Sequence, residues 1–153
     1  MRVSNKCSMA LHIMILLAVF ADRKLTSEQI SRSVGCNPVM IRNMLGKLKE
    51  AGLVATRRGS GGSVLTQEPA SISIWTIYEA VDTGSFDDLI GIHPNPFPRC
   101  SVGGNIRSLL ENPYSKIRDS MRETMETITL QQLLEDYKSI INHIDINVES
   151  YSE

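Results

Sequence analysis

The tightest constraint on this chain is a pair of helix boundaries almost back to back: one helix stops at Gly35 and the next is capped at Asn37. Thr26-Ser27-Glu28-Gln29 opens the first in a reciprocal capping arrangement, Thr26 accepting from the first turn while Gln29 reaches back. It turns Ile30 and Val34 to one face and ends at Gly35, which tolerates the left-handed conformation that closes helices. Asn37 caps the following helix, and Pro38 at its first position lacks an N–H that would find no partner there anyway. Ile41, Leu45 and Leu48 line one face of that helix, which ends at Ala51-Gly52. Two short helices joined by a tight turn containing glycine form the helix-turn-helix outline.

The residues after Gly52 sharpen that outline. Leu53–Arg58 reads as a strand, Gly59-Ser60-Gly61-Gly62 as a turn and Ser63–Thr66 as a returning strand, which together make a basic hairpin, or wing. Its glycines let the tip approach a phosphate backbone or a minor groove without side-chain obstruction, with Arg57 and Arg58 at its base. Upstream, residues 4–20 form a helix with Cys7, Leu11, Met14 or Ile15, and Ala18 at three- and four-residue steps. The apolar stretch Met9–Ala21 imitates a secretory signal. It contains His12, lacks a clear A-x-A cleavage site and runs into a helical pattern, so a buried first helix is the better account.

If Ile41, Leu45 and Leu48 face inward, the start of their helix presents Val39, Met40, Arg42 and Asn43 outward, where recognition helices read bases. Arg42 suits a bidentate pair with guanine, Asn43 one with adenine, and Val39 and Met40 suit thymine methyls. Asn37, Pro38 and the free N–H groups of the helix start suit a phosphate. Lys47, Lys49, Arg57, Arg2 and the wing residues Arg58, Ser60 and Gly61 complete the expected DNA contacts. Charge is distributed accordingly. Residues 1–68 hold ten Lys/Arg against four acids, and residues 69–153 hold six against thirteen, a basic half beside an acidic one within a net charge of −1.

The acidic half reads as an assembly segment. Ser71–Ser73 is expected to run extended beside the wing, and a fourth helix over 74–83 to pack Trp75, Ile77 or Tyr78, and Val81. Residues 84–99 are rich in Gly and Pro and read as irregular. Ile106, Leu110, Ile117, Met121, Met125 and Ile128 then recur along a long helix, with Pro113 expected to kink or restart it. Such a narrow apolar face usually packs on a partner helix, here a second copy of the chain. A last helix opens with another capping box at Thr129 and runs to about 142, its Leu133, Leu134, Tyr137 and Ile141 expected to cover the seam. The expected organisation is therefore mainly α with a small β-hairpin wing and a long C-terminal dimerisation helix. Residues 1–83 form the winged helix-turn-helix domain, 84–104 a sensor or linker loop, 105–143 the dimerisation helices and 144–153 a tail.

The string Leu48-Lys49-Glu50-Ala51-Gly52-Leu53-Val54, followed by Arg58-Gly59-x-Gly61-Gly62, resembles the signature of the Rrf2 winged-helix regulators. The likeness continues through Ile72-x-Ile74-x-x-Ile77-Tyr78-x-Ala80-Val81. His93-Pro94-Asn95-Pro96 with Cys100-x-Val102-Gly103-x-Asn105-Ile106 is similar to a subgroup from Gram-positive bacteria. The resemblance implies a homodimer acting mostly as a repressor, with Arg58 and the Pro38–Arg42 segment on an approximately palindromic operator in double-stranded DNA. It also exposes a departure. Cluster-binding relatives carry three cysteines in the loop before the dimerisation helix, whereas here that loop holds Cys100 alone, with His93 as a conceivable substitute for one thiolate. No cluster, metal or other cofactor is therefore expected.

Cys100 is the expected sensor: Arg99 beside it and a helix start after it both favour thiolate, the form that oxidants and electrophiles attack. Cys7 reads as packing, and Cys36 as a turn filler. Three scattered cysteines exclude a disulfide framework and suit a reducing cytoplasm. No apolar run approaches the roughly 18 residues of a membrane span. Nucleotide-binding, nucleophile-elbow and paired metal-ligand motifs are missing, so no enzymatic activity is expected. Two alternatives stay open: control by a small-molecule effector bound near the loop, and a protein-interaction module that no longer binds DNA.

Overall fold

The computed structural model describes residues 4–143 apart from Ser60, Thr83 and Ser85, so the expected tail at 144–153, Arg2 and Ser60 lie outside the described residues. Six helices and one hairpin run in the order α1 (Lys6–Val19), α2 (Ser27–Val34), α3 (Pro38–Glu50), β1 (Val54–Thr56), β2 (Ser63–Leu65), α4 (Ile74–Val81), α5 (Ile106–Thr127) and α6 (Leu130–His143). Single 3-10 turns lie at Pro69–Ser71, Phe86–Leu89 and Gly103–Asn105, the second of them inside the stretch expected to be irregular.

The capping chemistry places the helix-turn-helix. The Gln29 N–H donates to Thr26 Oγ1 at 3.2 Å and the Thr26 N–H to Gln29 Oε1 at 2.9 Å. Gly35 ends α2 with φ 76°, and the Met40 N–H donates to Asn37 Oδ1 at 2.8 Å to start α3. Each such cap is worth about 1 kcal/mol. The hairpin pairs antiparallel with Val54 opposite Leu65, Ala55 opposite Val64 and Thr56 opposite Ser63, three pairs in place of the longer strands expected. It is closed by the Arg57 N–H on the Gly62 carbonyl at 3.0 Å.

α1 explains the signal-like run. Its fully buried residues are Ala10, Ile13, Met14 and Leu17; of the expected stripe Met14 is among them, while Cys7, Leu11 and Ala18 are only partly buried. The helix is touched by α2, α4, α6 and β2, so it is apolar nearly all round because it is covered nearly all round. Ile30, Ile41, Met44, Leu48, Leu53, Val54, Ile72, Ile77 and Val81 complete the core around it.

The C-terminal half departs further from expectation. Ser71–Ser73 does not lie beside the wing: Ser73 bridges Thr129, the Ile74 N–H donates to the Ile128 carbonyl at 2.9 Å and the Leu130 N–H to the Ile72 carbonyl at 2.8 Å. That bridge docks α6 against α1 and the 3-10 turn at 69–71, where Leu130 and Leu134 enter the same core. α6 thus completes the winged domain, where a cover for the long helix was expected. Its capping box is as read, with the Thr129 N–H on Gln132 Oε1 at 3.0 Å and the Gln132 N–H on Thr129 Oγ1 at 3.3 Å. α5 runs on through Pro113 as a single helix; the ring removes one donor, so the Leu109 carbonyl loses its usual intrahelical partner. The end of α5 is held to α4 by the Arg122 guanidinium over the Trp75 ring, 4.9 Å from its centroid. Trp75, Tyr78 and Phe86 form an aromatic cluster with centroids 5.0–5.6 Å apart, tying α4 to the loop beyond it.

Candidate nucleic-acid interface

The start of α3 divides its residues as helical geometry requires. Ile41, Met44 and Leu48 are buried, with Leu45 half-buried beside them, while Val39 is 59% and Met40 43% exposed and Arg42 and Asn43 are open to solvent. Met44, not Leu45, is the fully buried residue of the middle turn. Large apolar side chains held at the surface beside an arginine and an asparagine make a surface suited to base edges. Asn37 is exposed but spends its side-chain oxygen on the cap, leaving its amide NH2 for other partners. Arg42 Nη2 donates to Glu28 Oε1 at 3.0 Å, across from α3 to α2. The Glu28 carboxyl is held below the ordinary carboxylate range by its own backbone N–H, with help from Arg42 and the Thr26 hydroxyl.

Several basic residues expected on DNA have partners inside the fold. Lys47 is half-buried, and its ammonium donates to the Val81 carbonyl at 3.1 Å, at the end of α4 where helix carbonyls lack donors. It braces α3 against α4, a role its sequence context did not announce. The Lys49 ammonium donates to Thr56 Oγ1, and the Arg57 guanidinium to the Ala21 carbonyl, pinning the base of the wing to the loop between α1 and α2. Arg58 is exposed and makes no hydrogen bond or ion pair with other described residues, so it is the cation of the hairpin best placed for an outside anion.

Sequence reasoning missed Lys24. Gly61 and Gly62 have φ of 70° and 84°, a region that side chains strain to reach, and a Cβ on either would stand 3.2 Å from the Lys24 side chain. The wing glycines thus accommodate a lysine stem as well as a tight turn, and Lys24 brings a further cation to the wing. Its only sequence signal was proximity to the Thr26 cap.

Cys100 is exposed, and its thiol is held below the ordinary range by the backbone N–H groups of Gly103 and Val102, not by the expected Arg99. The chain doubles back tightly there: a Cβ on Gly103 would come within 2.7 Å of the Phe97 carbonyl. Cys7 is half-buried and pushed upward by burial and by the Asp82 carboxylate, and Cys36 packs half-buried against the core. The three thiols lie in three different elements, and among the described residues no group of three or more His, Cys, Asp or Glu side chains is placed to hold a metal ion.

Within the expected dimerisation face, Ile117 is 44% and Met121 39% exposed, while Ile106, Leu110 and Met125 are half-buried. Ile128 lies beyond the helix end in extended conformation, its carbonyl engaged by Ile74, so it belongs to the α4–α6 bridge and not to the helical stripe. Leu109, 59% exposed, was overlooked. No residue of α5 is fully buried in the single chain, and no helix among the described residues is long and apolar enough to cross a membrane.

Comparison with known proteins agrees with this architecture. The profile of the Rrf2 family, described as "Iron-dependent Transcriptional regulator", matches residues 3–136. YwnA of Bacillus subtilis (strain 168) is 32% identical over 142 residues, covering 93% of this chain and 98% of its own. The HTH-type transcriptional regulator IscR of Vibrio atlanticus (strain LGP32) is 27% identical over 138 residues, covering 89% of this chain and 76% of its own. The structure of CymR, the global cysteine regulator of B. subtilis, superposes with a TM-score of 0.65 at 26% identity, over 88% of this chain and 97% of that one. The iron in the family's description finds no fitting donor set among the described residues. With a helix-turn-helix, a glycine wing and a family match across most of its length, the chain belongs to the Rrf2 family of DNA-binding transcriptional regulators.

Proposed function

We propose that the chain is a homodimeric, cytoplasmic repressor that places the start of α3 in the major groove and the wing against the adjacent backbone of an approximately palindromic operator. The observation that carries the reading is the exposure of Val39, Met40, Arg42 and Asn43 on a helix whose opposite face is buried. Pro38 and the Asn37 amide stand at the helix start, where backbone N–H groups attract phosphate. Arg58, Gly61, Ser60 and Lys24 serve the wing contact, and Arg57 supports it from within. A second copy is supported by α5, whose Leu109, Ile117 and Met121 are exposed in a single chain; apolar side chains at helical spacing gain most by covering one another. Two-fold symmetry then sets two α3 helices in major grooves about one helical turn or more apart, which is the origin of the palindrome.

Control is assigned to Cys100. Its lowered thiol lies next to the turn that leads into α5, so oxidation or alkylation there alters the footing of the helix that spaces the two reading heads. α5, which follows that turn, meets α4 at Arg122 and Trp75, and the hold of Lys47 on the end of α4 offers a route back to α3. The rival is a small effector bound near the loop. A cleft between α1 and α6, lined by Ala18, Val19, Leu134, Tyr137 and Lys138, takes none of its lining from residues 84–104.

Selection of bound sequences from a random duplex pool, under reducing and then oxidising conditions, tests the reading. A palindromic consensus that binds wild type, and that is lost on Arg42→Ala with Arg58→Ala, is expected; unchanged binding by that double variant favours a protein-interaction module. Cys100→Ser should stay on the selected duplex when peroxide or a quinone is added. Release as ready as that of wild type would move the sensor elsewhere.

A further inference from the structure

We infer that Glu28, an acidic residue on a face meant for a polyanion, is a positioning residue for base recognition by Arg42. The inference rests on the docking of α3 proposed above. A carboxylate close to the groove would on charge alone repel phosphate, and the surrounding N-terminal half is otherwise basic. The geometry gives it a use. Glu28 lies in the first turn of α2, where the positive end of a helix favours its carboxylate and its N–H-rich surroundings lower its pKa. From the start of that helix, Glu28 Oε1 accepts from a single nitrogen of Arg42 at 3.0 Å, and both side chains remain more than half exposed. A guanidinium has five N–H donors in a rigid fork, so one bond to Glu28 fixes its plane and leaves other donors free for guanine O6 and N7. An arginine on α3 without this partner must freeze a long flexible side chain at the moment of binding; with it, part of that ordering precedes DNA. The pair also joins the two helices of the reading head through their solvent faces, so Glu28 sets where the Arg42 fork points relative to the α2 helix that crosses the backbone.

A positioning carboxylate and a merely repulsive one predict opposite signs. Wild type, Glu28→Gln, Arg42→Ala and the double variant are titrated against the selected operator and against a scrambled duplex of equal length, across a range of salt. Glu28→Gln should weaken operator binding roughly 1.5- to fivefold, the size of an exposed ion pair converted to an affinity ratio. The same change should leave scrambled-duplex binding unchanged or tighter, since one negative charge has gone. Repeating the selection with Glu28→Gln should relax the guanine preference at the position read by Arg42, a readout that a stability defect does not move. In the Arg42→Ala background, Glu28→Gln should no longer weaken the operator complex. Tighter binding of Glu28→Gln to both duplexes would overturn the inference by making the residue a plain repulsive charge, as would an operator loss that persists without Arg42. Operator binding indifferent to Arg42→Ala alone would instead overturn the docking of α3 itself, and the role of Glu28 with it.

Discussion

Replacing Leu130 by alanine separates two accounts of the last helix. Leu130 is fully buried, its backbone N–H bonds to the Ile72 carbonyl, and its side chain lies in the cluster that contains Ile13, Ile30, Ile41 and Leu48. Truncation removes three carbons from a packed interior while the backbone bridge at Ser73–Thr129 keeps the helix in place, so the cavity cannot fully collapse. Leu→Ala changes at such sites cost about 2–5 kcal/mol; a value near 3 kcal/mol lowers Tm by about 6–12 °C for a chain of this size. The assay is urea unfolding followed by far-UV circular dichroism at low and at high protein concentration, because association adds a concentration-dependent increment to stability. A core residue loses the same free energy at both concentrations and leaves the sedimentation behaviour of the folded protein unchanged. A loss below about 1 kcal/mol, or one that appears only as weakened self-association, would refute the assignment of α6 to the winged domain.

Three further outcomes are expected. Ile117→Glu with Met121→Glu should give monomers by analytical ultracentrifugation with operator affinity greatly reduced and helix content retained, since neither side chain is buried in the single chain. Gly62→Ala should strain the wing by about 1–2 kcal/mol through its φ of 84° and press on the Lys24 stem, weakening DNA binding more than it lowers Tm. Alkylation by iodoacetamide, monitored by mass spectrometry across pH, should label Cys100 first, with its rate levelling off at lower pH than that of Cys7; a lowered thiol ionises earlier on a rising pH scale, whereas burial and Asp82 delay Cys7. Equal labelling profiles would remove the electrostatic case for Cys100 as the sensor.

The parts of this fold most readable from the chain are those whose partners lie close in sequence. The Thr26–Gln29 and Thr129–Gln132 boxes, the Asn37 cap and the left-handed Gly35 are local solutions to unpaired backbone groups, and each is where its residue types demand. Contacts between distant residues leave no such mark. Lys47 reads like any lysine on a basic helix until α4 brings the Val81 carbonyl to it. Lys24 looks incidental until Gly61 and Gly62 turn toward it. The three-, four- and seven-residue steps that carried the long-helix pattern to Ile128 could not reveal that the backbone leaves the helix one residue earlier, because an apolar residue suits the bridge to Ile74 equally well. Likewise the apolar stripe of α6 gave its periodicity and not its destination. The candidate site obeyed the same division: the exposed head of α3 came from helical periodicity, whereas the Glu28–Arg42 pair needed two helices in place.

The return of α6 to α1 also sets the order in which this molecule can be made. The apolar flanks of α1 are synthesised first, yet one of them waits for Leu130 and Leu134, more than a hundred residues later in the chain. A nascent chain that has already delivered both reading helices and the wing therefore still shows an open greasy seam to its surroundings. Ribosomal stalling or premature termination ahead of Leu130 would yield not a small free-standing DNA reader but a sticky fragment, a substrate for chaperones and proteases.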